Sequence, residues 1–199
     1  LNLPVEKIGG EMYELLTMAN RTTEDVFSLL DNLLKWTKSQ IGNLNVVYQD
    51  VDAVEVVDSV IDVFNMVAGL KKITIREEKP EKLPVCTDID MLKTIIRNLL
   101  SNAIKFSNEN SEVLVKMEEQ GDTVVVSVKD SGCGIDEEGQ QKLLHTDTHF
   151  STFGTNNEEG SGLGLLLCQD FAVKSGGKLW FTSKKGEGST FYFSIPLKK

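Results

Sequence analysis

The chain has 199 residues, 40% of them hydrophobic, enough to bury one good core with an added element. Thirty acidic residues against twenty-one basic ones give a formal net charge of -9, which argues against general binding to nucleic acid or to an anionic membrane surface. Cys86, Cys133 and Cys168 are odd in number and lack C-x-x-C spacing, so a disulfide framework and a zinc site are both unexpected and a reducing compartment fits.

No run reaches the length of a membrane span, no signal peptide opens the chain, and the first residue is Leu, so the sequence reads as a segment of something longer. From Met12 onward, Leu15, Ala19, Thr22, Val26, Leu29, Leu33 and Trp36 follow alternating steps of three and four, a heptad seam that Leu16, Leu30 and Leu34 widen. A seam this broad predicts a bundle helix whose partners lie mostly outside the chain. "IGNLN" breaks the pattern and places a domain boundary near Asn45. The next helix is predicted over "AVEVVDSVIDVFNMVAGL", ended by Gly69, and is followed by a strand, "KKITIRE".

The stretch "RNLLSNAIKFS", residues 97 to 107, predicts a helix that sets Asn98, Asn102 and Lys105 at offsets of four and seven. At about 100° per residue these fall on one narrow stripe, joined a turn earlier by Thr94. Leu92, Ile95, Ile96, Leu99 and Ala103 take a different side, so the stripe borders the core. Thr87 and Asp90 in "TDID" predict a capping box at the start of this helix. Two carboxamides and an ammonium in line can hold a phosphate with its metal; taken alone, they also suit an ordinary solvated helix face.

Beyond it, "EVLVKM" and "TVVVSV" predict an antiparallel hairpin through Gln120, Gly121 and Asp122. Residues 136 to 160 are polar with little periodicity. A helix is expected from about Ser161 to Lys174, with Leu163, Leu167 and Phe171 inward and Gly176 past its end. "KLWFTS" and "TFYFSI" make a second hairpin around "KKGEGS". Hairpins mixed with helices imply an α+β layered fold and not a doubly wound parallel sheet.

Two glycine clusters sit at the mouths of these elements. In "DSGCGID", Asp130 ends a strand and Gly132 and Gly134 follow; the glycines let backbone pass close to a flat ligand, and the carboxylate can accept from an exocyclic amine. The same letters are also ordinary turn chemistry. In "GSGLGLLL", Gly160, Gly162 and Gly164 lead into a helix, where unobstructed N–H groups suit phosphate, although a hinge would read alike. Neither cluster has dinucleotide-fingerprint spacing, "GGKL" has Leu179 where a P-loop needs a hydroxyl, and protein-kinase loops are absent.

In order, "NLLSNAIKFS", "DSGCGID", "GSGLGLLL" and "GEGSTFYFSIP" resemble the signature boxes of the catalytic domain of two-component sensor histidine kinases, over residues 46–199. The heptad helix before them resembles the second helix of the dimerisation and phosphotransfer domain, over residues 1–45. The resemblance implies an α+β fold of two layers, the ATP-binding sandwich of the GHKL superfamily, acting as a protein-histidine kinase with Mg²⁺. It implies that Asp130 accepts from the adenine amine, that Asn102 ligates Mg²⁺ with Asn98 assisting, and that Lys105 faces phosphate. Gly132 and Gly134 would shape the adenine pocket; Gly160, Gly162, Leu163 and Gly164 would carry the phosphate loop, and Thr190 would complete the nucleotide contacts.

Gyrase-like and chaperone-like members of the superfamily carry a Glu four residues before the metal-binding Asn, and this chain has Asn98 there. A carboxamide cannot take a proton from water, so phosphoryl transfer is expected over hydrolysis. Two departures stand out. Between Asp136 and Gly160, the presumed lid, Lys142 is the sole basic residue, with Thr152, Thr155 and Asn156 as weak substitutes and Phe150 and Phe153 as packing anchors. His145 precedes Thr146 and His149 precedes Phe150, so neither forms a phosphoacceptor box, and the acceptor His is expected outside this chain. The implied partners are ATP or ADP, a bundle domain carrying that His, a response-regulator receiver domain and a second copy in the full-length protein. The implied setting is cytoplasmic, with a parent that can be anchored in the inner membrane. A serine-directed kinase of the same superfamily and a nucleotide-dependent interaction module are the competing readings.

Overall fold

The computed structural model describes residues 12, 15, 23, 26, 30–37, 39, 45–143, 154–155 and 162–197. The chain divides into two compact units, Leu1–Asn43 and Leu44–Lys199. In the first, residues 30–37 form helix α1, and Met12, Leu15, Thr23 and Val26 are helical as well. Asp31 and Lys35 pair at 2.7 Å one turn apart. The apolar side chains of Met12, Leu15, Val26, Leu30, Leu33 and Leu34 are all exposed. Leu16, Ala19, Thr22 and Leu29 lie outside the described residues.

The second unit runs β1 (Gln49–Asp52), α2 (Ala53–Leu70), β2 (Thr74–Glu78), β3 (Pro84–Thr87), α3 (Ile89–Phe106), β4 (Glu112–Gln120), β5 (Thr123–Lys129), α4 (Glu137–Lys142), α5 (Leu163–Lys174), β6 (Leu179–Lys184) and β7 (Gly188–Pro196). A five-stranded sheet has the order β2-β4-β5-β7-β6, and β1 pairs with β3 separately. Both expected hairpins form, β4 with β5 and β6 with β7. The β2–β4 pair is parallel, joined by a crossover through α3, so the sheet is mixed.

Alternation builds the core. Val113, Val115 and Met117 of β4, Val124, Val126 and Val128 of β5, and Phe191, Phe193 and Ile195 of β7 are buried on one sheet face. Against that layer α3 brings Leu92, Ile95, Ile96, Leu99 and Leu100, and α5 brings Leu163, Leu167 and Phe171, all buried. The result is the two-layer α+β sandwich expected from the sequence.

Carboxylates start the helices. Asp52 Oδ1 accepts from the amides of Val54 (3.0 Å) and Leu83 (2.9 Å) at the head of α2. At α3 the cap is Asp88, one residue later than the Thr87 capping box predicted. Its Oδ1 accepts from Asp90 and Met91 and its Oδ2 from Val47. Thr87 is unavailable because it is the last residue of β3, paired with Gln49 and 1% exposed. A carboxylate also makes the stronger, charge-assisted bond to helix amides. The short helix α4 had no periodic signal to announce it; Asp136 caps it through Gly139, and Gln140 ties it to the backbone of Ile135 and of Ser183.

Candidate nucleotide site

Asp130 follows β5 directly and is 4% exposed. Its Oδ1 accepts from the amides of Gly132 (2.9 Å) and Ser189 (3.2 Å), while its own amide donates to Ser189 O. Burial pushes its carboxyl above the usual range, and the backbone N–H groups of Gly132 and Ser189 oppose that shift. A buried carboxylate oriented by backbone alone, with its second oxygen outside these bonds, suits recognition of a donor that a ligand supplies.

Around it, the expected glycines come together. A Cβ on Gly132 would collide with Phe106 O at the end of α3, and Gly134 lies against the backbone of Lys184. Cys133 donates its amide to Phe106 O (3.3 Å) and accepts at its carbonyl from Gly186 (2.7 Å). The loop after β5 is therefore clamped between α3 and the β6–β7 turn, which brings "DSGCGID" and "GEGS" to one place. Thr190 does not join them. It pairs with Lys129 and Thr182 in the sheet and, by strand alternation, stands on the opposite face of β7 from Ser189 and buried Phe191. Ser189, the residue directly after the second glycine of "GEG", reaches Asp130 instead, and its hydroxyl lies 2.9 Å from Ser183 Oγ. The position after that glycine is the signal that would have found it.

On α3, Asn98, Asn102 and Lys105 are all half-buried. Asn98 donates Nδ2 to Thr94 O (2.9 Å), and its Oδ1 faces Gly164 in the first turn of α5. Asn102 makes no side-chain hydrogen bond among the described residues, leaving a carboxamide oxygen for a ligand. Lys105 holds its ammonium 5.1 Å from the Phe106 ring centroid. Gly162 is the N-cap of α5 in the left-handed region (φ 69°), where a side chain would be strained, and no side chain caps the helix. The first turn holds Leu163, 9% exposed, and Gly164, and its backbone N–H groups point out of the start of the helix, at the positive end of its dipole. Gly160, Thr152, Asn156, Phe150, Phe153, His145 and His149 lie outside the described residues. Thr155 is described and serves another end: its hydroxyl and amide bond the carbonyls of Ser107 and Lys105.

A divalent cation fits this set in one way. Among the described residues, no three His, Cys, Asp or Glu side chains cluster as a protein-made cage. Mg²⁺ is ordinarily held by one or two protein oxygens together with substrate phosphates and water, and the Asn102 carboxamide oxygen is of the kind that can serve as one of them.

Comparison with known proteins decides the relationship. The family described as histidine kinase-, DNA gyrase B-, and HSP90-like ATPase matches residues 87–199, more than half of the chain. The chain belongs to this ATPase family. The adaptive-response sensory kinase SasA of Crocosphaera subtropica is 29% identical over 196 residues, covering 98% of this chain and 51% of that protein. The catalytic domain of histidine kinase ThkA superposes with a TM-score of 0.66 at 28% identity, covering 76% of this chain and 98% of that domain. ThkA in complex with the response regulator protein TrrA shares the fold with a TM-score of 0.74 at 24% identity, covering 98% of this chain and 53% of that one. The chain spans about half the length, or less, of the curated relatives it matches. Its fold is that of histidine kinase catalytic domains, and no described helix is long and apolar enough to cross a membrane.

Proposed function

We propose that the chain is the catalytic part of a sensor histidine kinase, binding Mg-ATP and passing the γ-phosphoryl to a histidine outside residues 1–199. Asp130 accepts from the adenine amine, with Gly132 and Gly134 lining the base and Ser189 holding the carboxylate in place. The α5 start at Gly162, Leu163 and Gly164 takes the phosphates with its backbone amides, and Lys105 adds a cation to the same end. Asn102 holds Mg²⁺, which when bound neutralises phosphate charge and orients the triphosphate.

The observation that carries transfer over hydrolysis is the state of Asn98. Its amide is engaged with Thr94 O and its oxygen packs on Gly164, so the position fixes the α3–α5 geometry and offers no base for water. With positioning and charge neutralisation as the tasks of the site, an external nucleophile completes it. The exposed seam of α1 supports assignment of residues 1–45 to a dimerisation and phosphotransfer bundle, hence a homodimeric parent, a cytoplasmic setting and, as with ThkA, a response-regulator partner.

The test is incubation with γ-labelled ATP. The chain alone should bind ATP without gaining acid-labile phosphate, whereas an added bundle domain bearing the acceptor helix should become labelled. Stoichiometric phosphohistidine on the chain itself would overturn the external acceptor, and acid-resistant label on a serine-containing partner would favour the serine-kinase reading.

A further inference from the structure

Lys71 follows the last residue of α2 and is only 7% exposed. The left-handed Lys72 (φ 55°) turns the main chain away into β2, and the Lys71 side chain runs to the end of α3. There its ammonium donates to Ile104 O (3.0 Å), Lys105 O (2.9 Å) and Thr155 Oγ1 (2.5 Å). Carbonyls in the last turn of a helix lack intrahelical partners and carry the negative end of its dipole, so a buried cation there is matched in both hydrogen bonding and charge. An ammonium has three protons, enough to serve these three acceptors.

Thr155, on the connection between α4 and α5, is bound to the same helix end from its own side. Its amide donates to Lys105 O (3.1 Å), and its hydroxyl, accepting from Lys71, donates to Ser107 O (2.8 Å). Phe106 O, between those two carbonyls, takes the amide of Cys133. Three consecutive carbonyls at the end of α3, those of Lys105, Phe106 and the C-cap Ser107, thus hold Cys133 in the loop that follows Asp130 and Thr155, and one buried ammonium joins the end of α2 to that helix end and to Thr155.

We infer that Lys71 is a positioning residue for the nucleotide site: it fastens Thr155 to the end of α3 that carries Lys105 and Phe106. The consequence for phosphate binding rests on the nucleotide reading above; the three-way junction itself does not. Neither residue touches the nucleotide in this account, and both act through the helix end they share.

The test uses the 199-residue chain with Lys71→Met, Thr155→Val, Thr155→Ser and the double variant Lys71→Met/Thr155→Val. Amide exchange at Thr155, followed by NMR without nucleotide, should speed up about tenfold in either Lys71→Met or Thr155→Val, the effect of losing one hydrogen bond to a charged group. The double variant should be little worse than the poorer single one, because both remove the same junction. Thr155→Ser, which keeps the hydroxyl, should match the parent. In calorimetry, Thr155→Val should weaken Mg-ADP about tenfold while leaving adenosine unchanged, a ratio that general destabilisation would not move. Additive effects of the two substitutions, or Thr155→Val indistinguishable from Thr155→Ser, would overturn the inference. Should Lys71→Met fail to fold, the Val and Ser pair at Thr155 decides it. A parent that binds no Mg-ADP would refute the nucleotide reading, while the exchange data still decide the junction.

Discussion

Gly164 and Asn98 touch across the α3–α5 interface: a Cβ placed on Gly164 would stand 2.6 Å from Asn98 Oδ1. The start of α5 is therefore set by a residue of α3. Alanine is the better helix former, so Gly164→Ala would stabilise an isolated α5 by about 1 kcal/mol. In the protein it should instead displace the Asn98 amide from Thr94 O and lower both the melting temperature and Mg-ATP affinity. Adding Asn98→Ala should recover most of the lost stability, a non-additivity that thermal unfolding of the two single variants and the double variant measures directly.

Asp130 gives a trade between stability and binding. Its folded carboxyl holds a proton more tightly than the ordinary value of 3.8, so the folded state binds more protons and stability falls as pH rises through that window. Asn at 130 keeps an acceptor for the Gly132 and Ser189 amides while removing the buried charge. The nucleotide-free Asp130→Asn variant should melt above the parent at neutral pH, with the gap narrowing as pH falls toward 3.8. Scanning calorimetry across pH checks this, and a variant less stable than the parent at neutral pH would contradict it.

Asn102→Ala should act on the metal. The variant should lose most of the difference between ATP affinity in Mg²⁺ and in EDTA and leave adenosine binding intact. An undiminished Mg²⁺ effect would remove Asn102 from the role assigned to it.

The cap of α3 predicts a stability effect remote from ligand. Asp88 accepts from Val47, Asp90 and Met91, and Asp88→Ala should cost about 1 to 2 kcal/mol in urea unfolding. Thr87→Val, at the position the capping-box pattern favoured, should keep the cap, since Thr87 gives no hydroxyl to it.

Much of this was readable in the letters, for a physical reason in each case. The period of α3 set its polar stripe beside its core face, alternation in β4, β5 and β7 identified the buried layer, and the glycines before α5 marked where that helix begins. What escaped the sequence depended on partners distant along the chain. Whether Thr87 or Asp88 caps α3 is decided by the pairing of Thr87 with Gln49, and whether Ser189 or Thr190 reaches Asp130 is decided by the register of β7 on β5. The polar α4 and the Lys71–Thr155 junction carry no periodic signal, because their bonds run to carbonyls that a sequence does not display.

The role proposed for Asp130 is to hold the adenine of a bound nucleotide. Titration calorimetry of the chain with ATP and with GTP, at one Mg²⁺ concentration, addresses it most directly. Guanine presents a carbonyl where Asp130 needs a donor, so ATP should bind clearly more tightly than GTP. Asp130→Ala should lose a charge-assisted bond worth about 1.5 to 3 kcal/mol, about ten- to a hundred-fold in ATP affinity. Equal affinity for the two nucleotides, or full ATP affinity in Asp130→Ala, would contradict the account.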